Sequence, residues 1–417
     1  METYRIIVGI DWADREHTVC VLDQQTQTKQ IETVLQTPEA IAEWVASLRQ
    51  RFPTSPIGVC LEQSRGALVY ALLQYDCLEL VPVNPKQLAR FREALAVSGA
   101  KDDPRDAELL AELLAKHGDC LRRWQPDTVE TRLLGLLVAD RRHLVDQRTT
   151  LGNRLKSLLK QYFPQALALC RTLTSPVACA LLERWPTLPQ LQRATADEIR
   201  QLYWEHDCRS EQHLQERLAR IAAAVPLTRD AAIVESRSLL VVSIVRQIQT
   251  LNQAIDQYDQ RIAELFSQHE DHDIFDSFPG AGAAMAPRLL TGFGTDRDRF
   301  GDASEVQQMT GIAPVTKASG KTRVVHRRWA CNTFLRQTFH EYAAHSIKFS
   351  PWAKAYYDRM KQKTGKHHSA VRALAFKWTR ILYRCWKTRT RYDELTYFAA
   401  LQRRHSPLIA AMASSNN

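Results

Sequence analysis

Three strand-like runs, the first apolar and β-branched, precede the first helix signal in this chain, and that order constrains its fold more than any other feature. Residues 4–11 read as a buried strand that ends on Asp11. Residues 18–23 and 29–34 read as two further strands joined by short polar turns. Pro38 then opens an amphipathic helix with Ile41, Trp44, Val45 and Leu48 on one face. A strand over 57–62, a helix over 67–75, a strand over 78–83 and a helix from Pro85 follow. The predicted order is βββαβαβα.

A plain doubly wound sheet alternates strand and helix from its start. Three leading strands instead predict a ribonuclease H–like α/β domain over residues 1–125. In such a sheet the first strand neighbours the strand that follows the first helix, so Asp11 and Glu62 leave the sheet at one edge. The third acidic element is Lys101-Asp-Asp-Pro-Arg-Asp-Ala107. Pro104 suits a first helical position. Asp103 and Asp106, three apart, then share a face of the first turn, which favours Asp103 over the neighbouring Asp102. Four carboxylates in one place repel one another. A hard divalent cation removes that cost, and an all-oxygen ligand set selects Mg²⁺ or Mn²⁺ over zinc. Two such ions activate an attacking oxygen and stabilise a leaving one at a phosphodiester. Taken singly, each Asp equally describes a turn or a helix cap; the set, in this order, points to metal-dependent chemistry.

From about residue 128 the texture changes. Leu137, Leu144, Leu151 and Leu158 recur every seven residues, and Val241, Ile244, Ile248, Leu251, Ile255, Tyr258, Ile262 and Leu265 alternate steps of three and four. Residues 126–270 are therefore expected to form coiled-coil helices, with a helical insert over 161–230. The same seam describes two bundle helices within one subunit or a contact with another. Residues 271–417 read as mainly helical. Ser277-Phe-Pro-Gly-Ala-Gly282 is a turn into a helix over 284–290, of a kind whose backbone amides hold phosphate. A Rossmann reading fails because no strand precedes it. After a helix over 304–310, residues 311–321 are expected to form a loop carrying Ser319, with the remainder helical. Lys317, Lys321 and Arg323 surround the Ser319 hydroxyl with charge, and His326, Arg327 and Arg328 follow. A serine that attacks a phosphodiester needs such charge and help in losing its proton; metal at the acidic cluster or His326 could give that help. Read alone, Ser-Gly-Lys describes a phosphate clamp equally well.

The net charge is +10, unevenly distributed. Residues 317–389 hold 18 Lys or Arg against two acids, so this window carries +16 and the rest of the chain −6. A one-sided block of this size points to a polyanion. Lys363, Lys366, Arg372, Lys377 and Arg380 are candidate phosphate contacts within it, with Lys361 and Arg384 beside them. The interleaved Trp378, Tyr383 and Trp386 either stack on unpaired bases or belong to the core. No apolar run reaches the roughly 18 residues of a membrane span. Nine cysteines lack any Cys-x-x-Cys pair, which suits a reducing cytoplasm and gives no zinc signature.

The order Gly9-Ile-Asp11, Glu62, Lys101-x-Asp103-x-x-Asp106-Ala, Pro279-Gly-x-Gly282, Gly311-x-x-Pro314 and Ser319-Gly resembles the DEDD insertion-sequence transposases over nearly the whole chain. The resemblance implies an N-terminal domain similar to the RuvC Holliday-junction nuclease, with Asp11, Glu62, Asp103 and Asp106 as a metal-binding tetrad. It implies a C-terminal transposase domain whose serine, here Ser319, becomes linked to a DNA 5′ phosphate. It also implies donor and target DNA as partners, a structured non-coding bridge RNA that pairs with both, and a homo-oligomer joining the acids of one subunit to the serine of another. The location implied is the bacterial cytoplasm, at the nucleoid. Asp102 departs from the small polar residue usual there, the serine loop has one Gly where relatives often have two, and the insert makes the chain long. The alternatives are a RuvC-like nuclease that uses water and a nucleic-acid-binding protein without chemistry.

Overall fold

The computed structural model describes residues 4–62, 66–95, 103–320 and 322–409. The chain divides into two compact units, Met1–Pro126 and Asp127–Asn417.

The first unit is a mixed sheet with helices. Its strands are β1 (Ile6–Asp11), β2 (Glu16–Asp23), β3 (Thr28–Leu35), β4 (Ile57–Leu61) and β5 (Leu78–Pro82), in the spatial order β3-β2-β1-β4-β5. The first three form an antiparallel meander, whereas β4 and β5 run parallel to β1 and to each other. Its helices are α1 (Pro38–Arg51), α2 (Ala67–Leu72), α3 (Pro85–Leu95) and α4 (Asp103–His117). The expected element order is therefore found. Side chains alternate across the sheet: Ile6, Val8, Ile10, Val59 and Leu61 pack with α1 and α2, while Ile7, Cys20 and Cys60 pack with α4. Strands buried on both faces explain the near-continuous apolar runs of β1 and β4.

Gly9 sets how closely α4 approaches. A Cβ there would stand 2.0 Å from the Ala107 carbonyl oxygen and 2.5 Å from the Ala111 amide nitrogen. Lys29, paired across the sheet with Leu22 near the start of β1, bonds Glu112 at 2.6 Å. Thus α4 runs back along β1, and its first turn lies toward the Asp11 end.

In the second unit α5 (Val129–Tyr162) pairs with α11 (Ala231–Gln268). Thr131 meets His269, Arg141 meets Asp259 and Arg148 meets Asn252. Each step forward on α5 is matched by an equal step backward on α11, so the pair is antiparallel and in one fixed register. Helices α6 (Ala166–Leu169), α7 (Pro176–Arg184), α8 (Leu188–Arg193), α9 (Ala196–Glu205) and α10 (Glu211–Ala223) lie between them in sequence. They share a core with Leu155, Leu159, Val241 and Ile248 at one end of the pair. At the other end Leu134, Val138, Ile262 and Phe266 join the core of the remaining helices. Those are α12 (His272–Asp276), α13 (Gly282–Phe293), α14 (Ala303–Met309), α15 (Thr333–Ser346), α16 (Pro351–Thr364), α17 (His367–Thr388) and α18 (Glu394–Arg403). Glu341 on α15 accepts from Arg288 of α13 at 2.8 Å and from Arg142 of α5 at 3.2 Å, which ties the pair to this core.

One expectation fails: residues 311–328 are not a loop leading into helix. They contain a hairpin of β6 (Val315–Ser319) and β7 (Thr322–His326), antiparallel and exposed along almost its whole length. The hairpin leaves β6 through Gly320 at φ +54°, the left-handed region that tight hairpin connections favour.

Gly9→Ala is expected to destabilise the first unit by about 3 kcal/mol, because the methyl meets helix backbone that cannot rotate away. Thermal unfolding combined with limited proteolysis checks this: new cuts should fall within residues 1–126.

Candidate active site and nucleic-acid interface

Two sets of residues carry the chemistry, one in each unit. In the first unit Ile10 and Leu61 are register partners in the parallel β1–β4 pair, so Asp11 and Glu62 follow at the same level. Adjacent strands lie about 4.8 Å apart. Alternation from Gly9 turns Asp11 toward α4. Both acids are half-buried. Asp103 starts α4 and is exposed, and Asp106, one turn on, is buried.

The four acids share this edge but are not drawn into one cluster. Among the described residues no group of three or more His, Cys, Asp or Glu side chains is close enough to hold a metal ion. Asp106 Oδ2 is instead paired with Arg92 Nη2 of α3 at 2.6 Å. Its other oxygen, Oδ1, is buried with no hydrogen-bond partner, as is Arg92 Nε. A buried carboxylate oxygen without a donor is costly, and an all-oxygen donor set suits a hard divalent cation; on both counts these residues fit a divalent metal.

In the second unit Ser319 pairs with Thr322 across the tip of the hairpin and is exposed. Directly opposed residues share a face, so Lys317, paired with Val324, lies on the Ser319 face. Arg323 is paired with Ala318 and projects from the other face, contrary to the expectation that it flanks the hydroxyl. Lys321 lies outside the described residues, as does Asp102. His326 is paired with Val315 at the open end of the hairpin. Four residues of strand separate it from Thr322, about 13 Å, which removes it as a base for Ser319 of the same chain. Arg327 is exposed, and Arg328 Nε donates to the Ala313 carbonyl at 3.3 Å.

Helices α16 and α17 carry much of the basic block. Gly365, at φ +66°, ends α16 before α17 begins. Lys363, Lys366 and Arg380 are exposed. Trp378, Tyr383 and Trp386 are not available for bases: Trp378 bonds Ser346 Oγ at 2.8 Å, Trp386 bonds the Gly294 carbonyl at 2.7 Å, and Tyr383 bonds the Gly301 carbonyl at 2.9 Å. Both indoles are fully buried. Lys377 packs over the Tyr356 ring at 4.8 Å. Burial, aided by Arg359 and Arg380, lowers its pKa to about 8. Sequence reasoning passed over Arg92, the partner of Asp106, and the exposed Trp329, whose place between Arg328 and the start of α15 was the available signal.

With this geometry in hand, comparison with known proteins is informative. A model described as a transposase, of the IS110 DEDD type, matches residues 8–164, and one described as the transposase IS116/IS110/IS902 family matches residues 272–358. The chain carries an IS110-type DEDD transposase domain and a segment of the IS116/IS110/IS902 transposase family. The protein named for the IS117 mini-circle of Streptomyces coelicolor is 29% identical to this chain over 407 residues, 96% of this chain and 98% of the relative. The 42 kDa protein of insertion element IS900 from Mycobacterium paratuberculosis is 24% identical over 94% of this chain and 98% of its own length. The 44.8 kDa protein of insertion element IS116 from Streptomyces clavuligerus is 25% identical over 91% and 94%. The first family match spans the acidic edge and the second the serine hairpin. The DEDD domain implies dependence on a divalent metal.

Two outcomes are expected. Arg92→Ala leaves a buried carboxylate without its cation and should cost about 3 kcal/mol, and Asp106→Ala in the same chain should restore much of the loss; denaturant unfolding of the four-member cycle measures both. The Lys377 pKa lies below its usual 10.5, so between about pH 8 and 10.5 the unfolded chain holds a proton that the folded one has shed, and stability rises with pH there. Lys377→Met should flatten that rise and be more stable than the parent at pH 7, with nucleic-acid affinity unchanged; melting curves across pH and a binding titration test it.

Proposed function

We propose that this protein cuts and rejoins DNA for an insertion sequence, with Ser319 as nucleophile and Asp11, Glu62, Asp103 and Asp106 as ligands for Mg²⁺ or Mn²⁺. The observation that carries this reading is the exposed serine at the tip of a basic hairpin with no core of its own. A hydroxyl placed there can reach a phosphodiester that no buried residue could approach. A metal bound by the four acids would supply charge neutralisation at the phosphate and activation of an oxygen. As Ser319 Oγ bonds to phosphorus, the bond to the 3′ oxygen breaks, and the proton given up by the serine is balanced by the one taken up by the 3′-hydroxyl. The phosphoserine conserves the energy of the bond, so a 3′-hydroxyl can reseal the strand in the reverse step without ATP. Lys317, on the same face as Ser319, is placed to neutralise the phosphate.

The organisation that fits this work has three parts: a ribonuclease H–like catalytic domain over residues 1–125, a coiled-coil pair with helical insert over 126–270, and a transposase domain over 271–417. The basic block serves donor and target DNA and a structured guide RNA, and the acids of one subunit of a homo-oligomer act with the serine of another. The water-using nuclease remains the competing scheme, because the acidic edge would serve it equally.

Incubation with divalent metal, cognate RNA and end-labelled DNA, followed by denaturation, separates the two. Protein-linked label is expected in the parent and should vanish in Ser319→Ala together with cleavage. Asp11→Ala, Glu62→Ala and Asp106→Ala should lose cleavage and retain RNA binding. Free cut ends from Ser319→Ala at the parental rate would transfer the role to water.

A further inference from the structure

Away from the hairpin tip, uncompensated positive charge gathers where residues 327–332 meet α15 and α17. Arg336 and His340 stand one turn apart on α15, and His368 and Arg372 one turn apart on α17. The rings of His340 and His368 are 5.7 Å apart, so these two rows face each other. Arg372 lies within electrostatic reach of Arg327 and Arg336, and its pKa is lowered by burial and then by those two guanidiniums. Among the described residues none of the three arginines is in a salt bridge. Like charges brought together on separate elements with no carboxylate destabilise the fold unless an anion answers them.

Beside this cluster stands Trp329, 71% exposed, with the Arg327 guanidinium 4.8 Å from its ring centroid. The loop that displays it is fixed. Arg328 holds the Ala313 carbonyl, the Cys331 thiol donates to the Arg328 carbonyl at 3.7 Å and accepts from Arg336 Nη1 at 3.3 Å, and Asn332 caps α15 through the Leu335 amide at 3.1 Å. Gly311, at φ +69°, leaves the space Cys331 occupies; a Cβ there would stand 2.2 Å from its sulfur. A large exposed aromatic ring held among guanidiniums that no carboxylate answers matches one ligand chemistry: a flat base that carries phosphate on either side. An acidic protein surface would answer the charge and leave the indole in water.

The geometry points to a single-strand subsite in which Trp329 stacks on an unpaired base while Arg327, Arg336 and Arg372 hold the flanking phosphates. It rests on the reading that this protein works on nucleic acid, and is independent of the Ser319 chemistry. Arg327 follows Thr322, the partner of Ser319, by five residues, about 17 Å of strand, so the base would lie a few nucleotides from the bond that is cut.

The test uses the full-length protein in a Ser319→Ala background, which blocks covalent attachment and isolates binding. Fluorescein-labelled single-stranded and blunt duplex oligonucleotides of one sequence are titrated over a range of salt. Trp329→Ala should weaken single-strand binding about tenfold and duplex binding less than twofold, with Trp329→Phe restoring most of the loss. Arg372→Gln should weaken single-strand binding and reduce its salt slope by about 0.7, the share of one phosphate contact; melting curves confirm that it folds. Single-strand affinity unchanged by Trp329→Ala, or single-strand and duplex affinity lost equally, would overturn the proposal. So would a change in sedimenting mass with nucleic-acid affinity intact, which would make the indole a protein contact. Failure to find protein-linked label in the serine assay would leave these binding results readable.

Discussion

The first unit is organised around the contact between a glycine and a helix backbone. With no side chain at Gly9, α4 lies directly on β1, and that closeness brings the first turn of α4 toward the strand ends that carry Asp11 and Glu62. Any larger residue would lift the helix and carry Asp103 and Asp106 away with it. The Arg92–Asp106 pair holds one oxygen of the buried acid, and the other is buried without a hydrogen-bond partner.

What was legible in the sequence follows from what each segment buries. Strands β1, β2 and β4 of the first unit are buried almost throughout, and the helices show stripes, so their order could be read without a structure. The hairpin of β6 and β7 buries almost nothing, hence no alternating pattern marked it, and only Gly320 hinted at its turn. For the tryptophans of α17 the sequence left base stacking and core burial open, and the structure gives the core. Leu374, Trp378, Leu382 and Trp386 recur every four residues and form the buried stripe of the helix, while Arg380 and Arg384 between them face outward; interleaving in sequence is not neighbourhood in space. The acids were legible as a pattern of types and spacings. Their engagement with Arg92 was not, because that partner lies on another helix and carries no motif.

The second unit divides its labour between packing and exposure. Trp352, Trp378 and Trp386 fill one core, and the charge that surrounds them is carried on the outer faces of α16 and α17. Trp329 breaks the rule. Its loop is pinned at both ends by hydrogen bonds, so the exposure of the ring is a property of a fixed scaffold, not of a loose one.

The pairing of α5 with α11 has a consequence for how the chain can vary. The two cores at its ends are apolar, but the middle is crossed by Arg141–Asp259 and Arg148–Asn252, directional contacts that exist in only one alignment. The pair therefore behaves as a ruler. A single inserted residue in either helix would turn everything beyond it by about 100°, facing one core's side chains into water. Length can be gained or lost only in matched seven-residue steps on both helices at once, whereas the small helices beyond the far end, outside that alignment, are free to change.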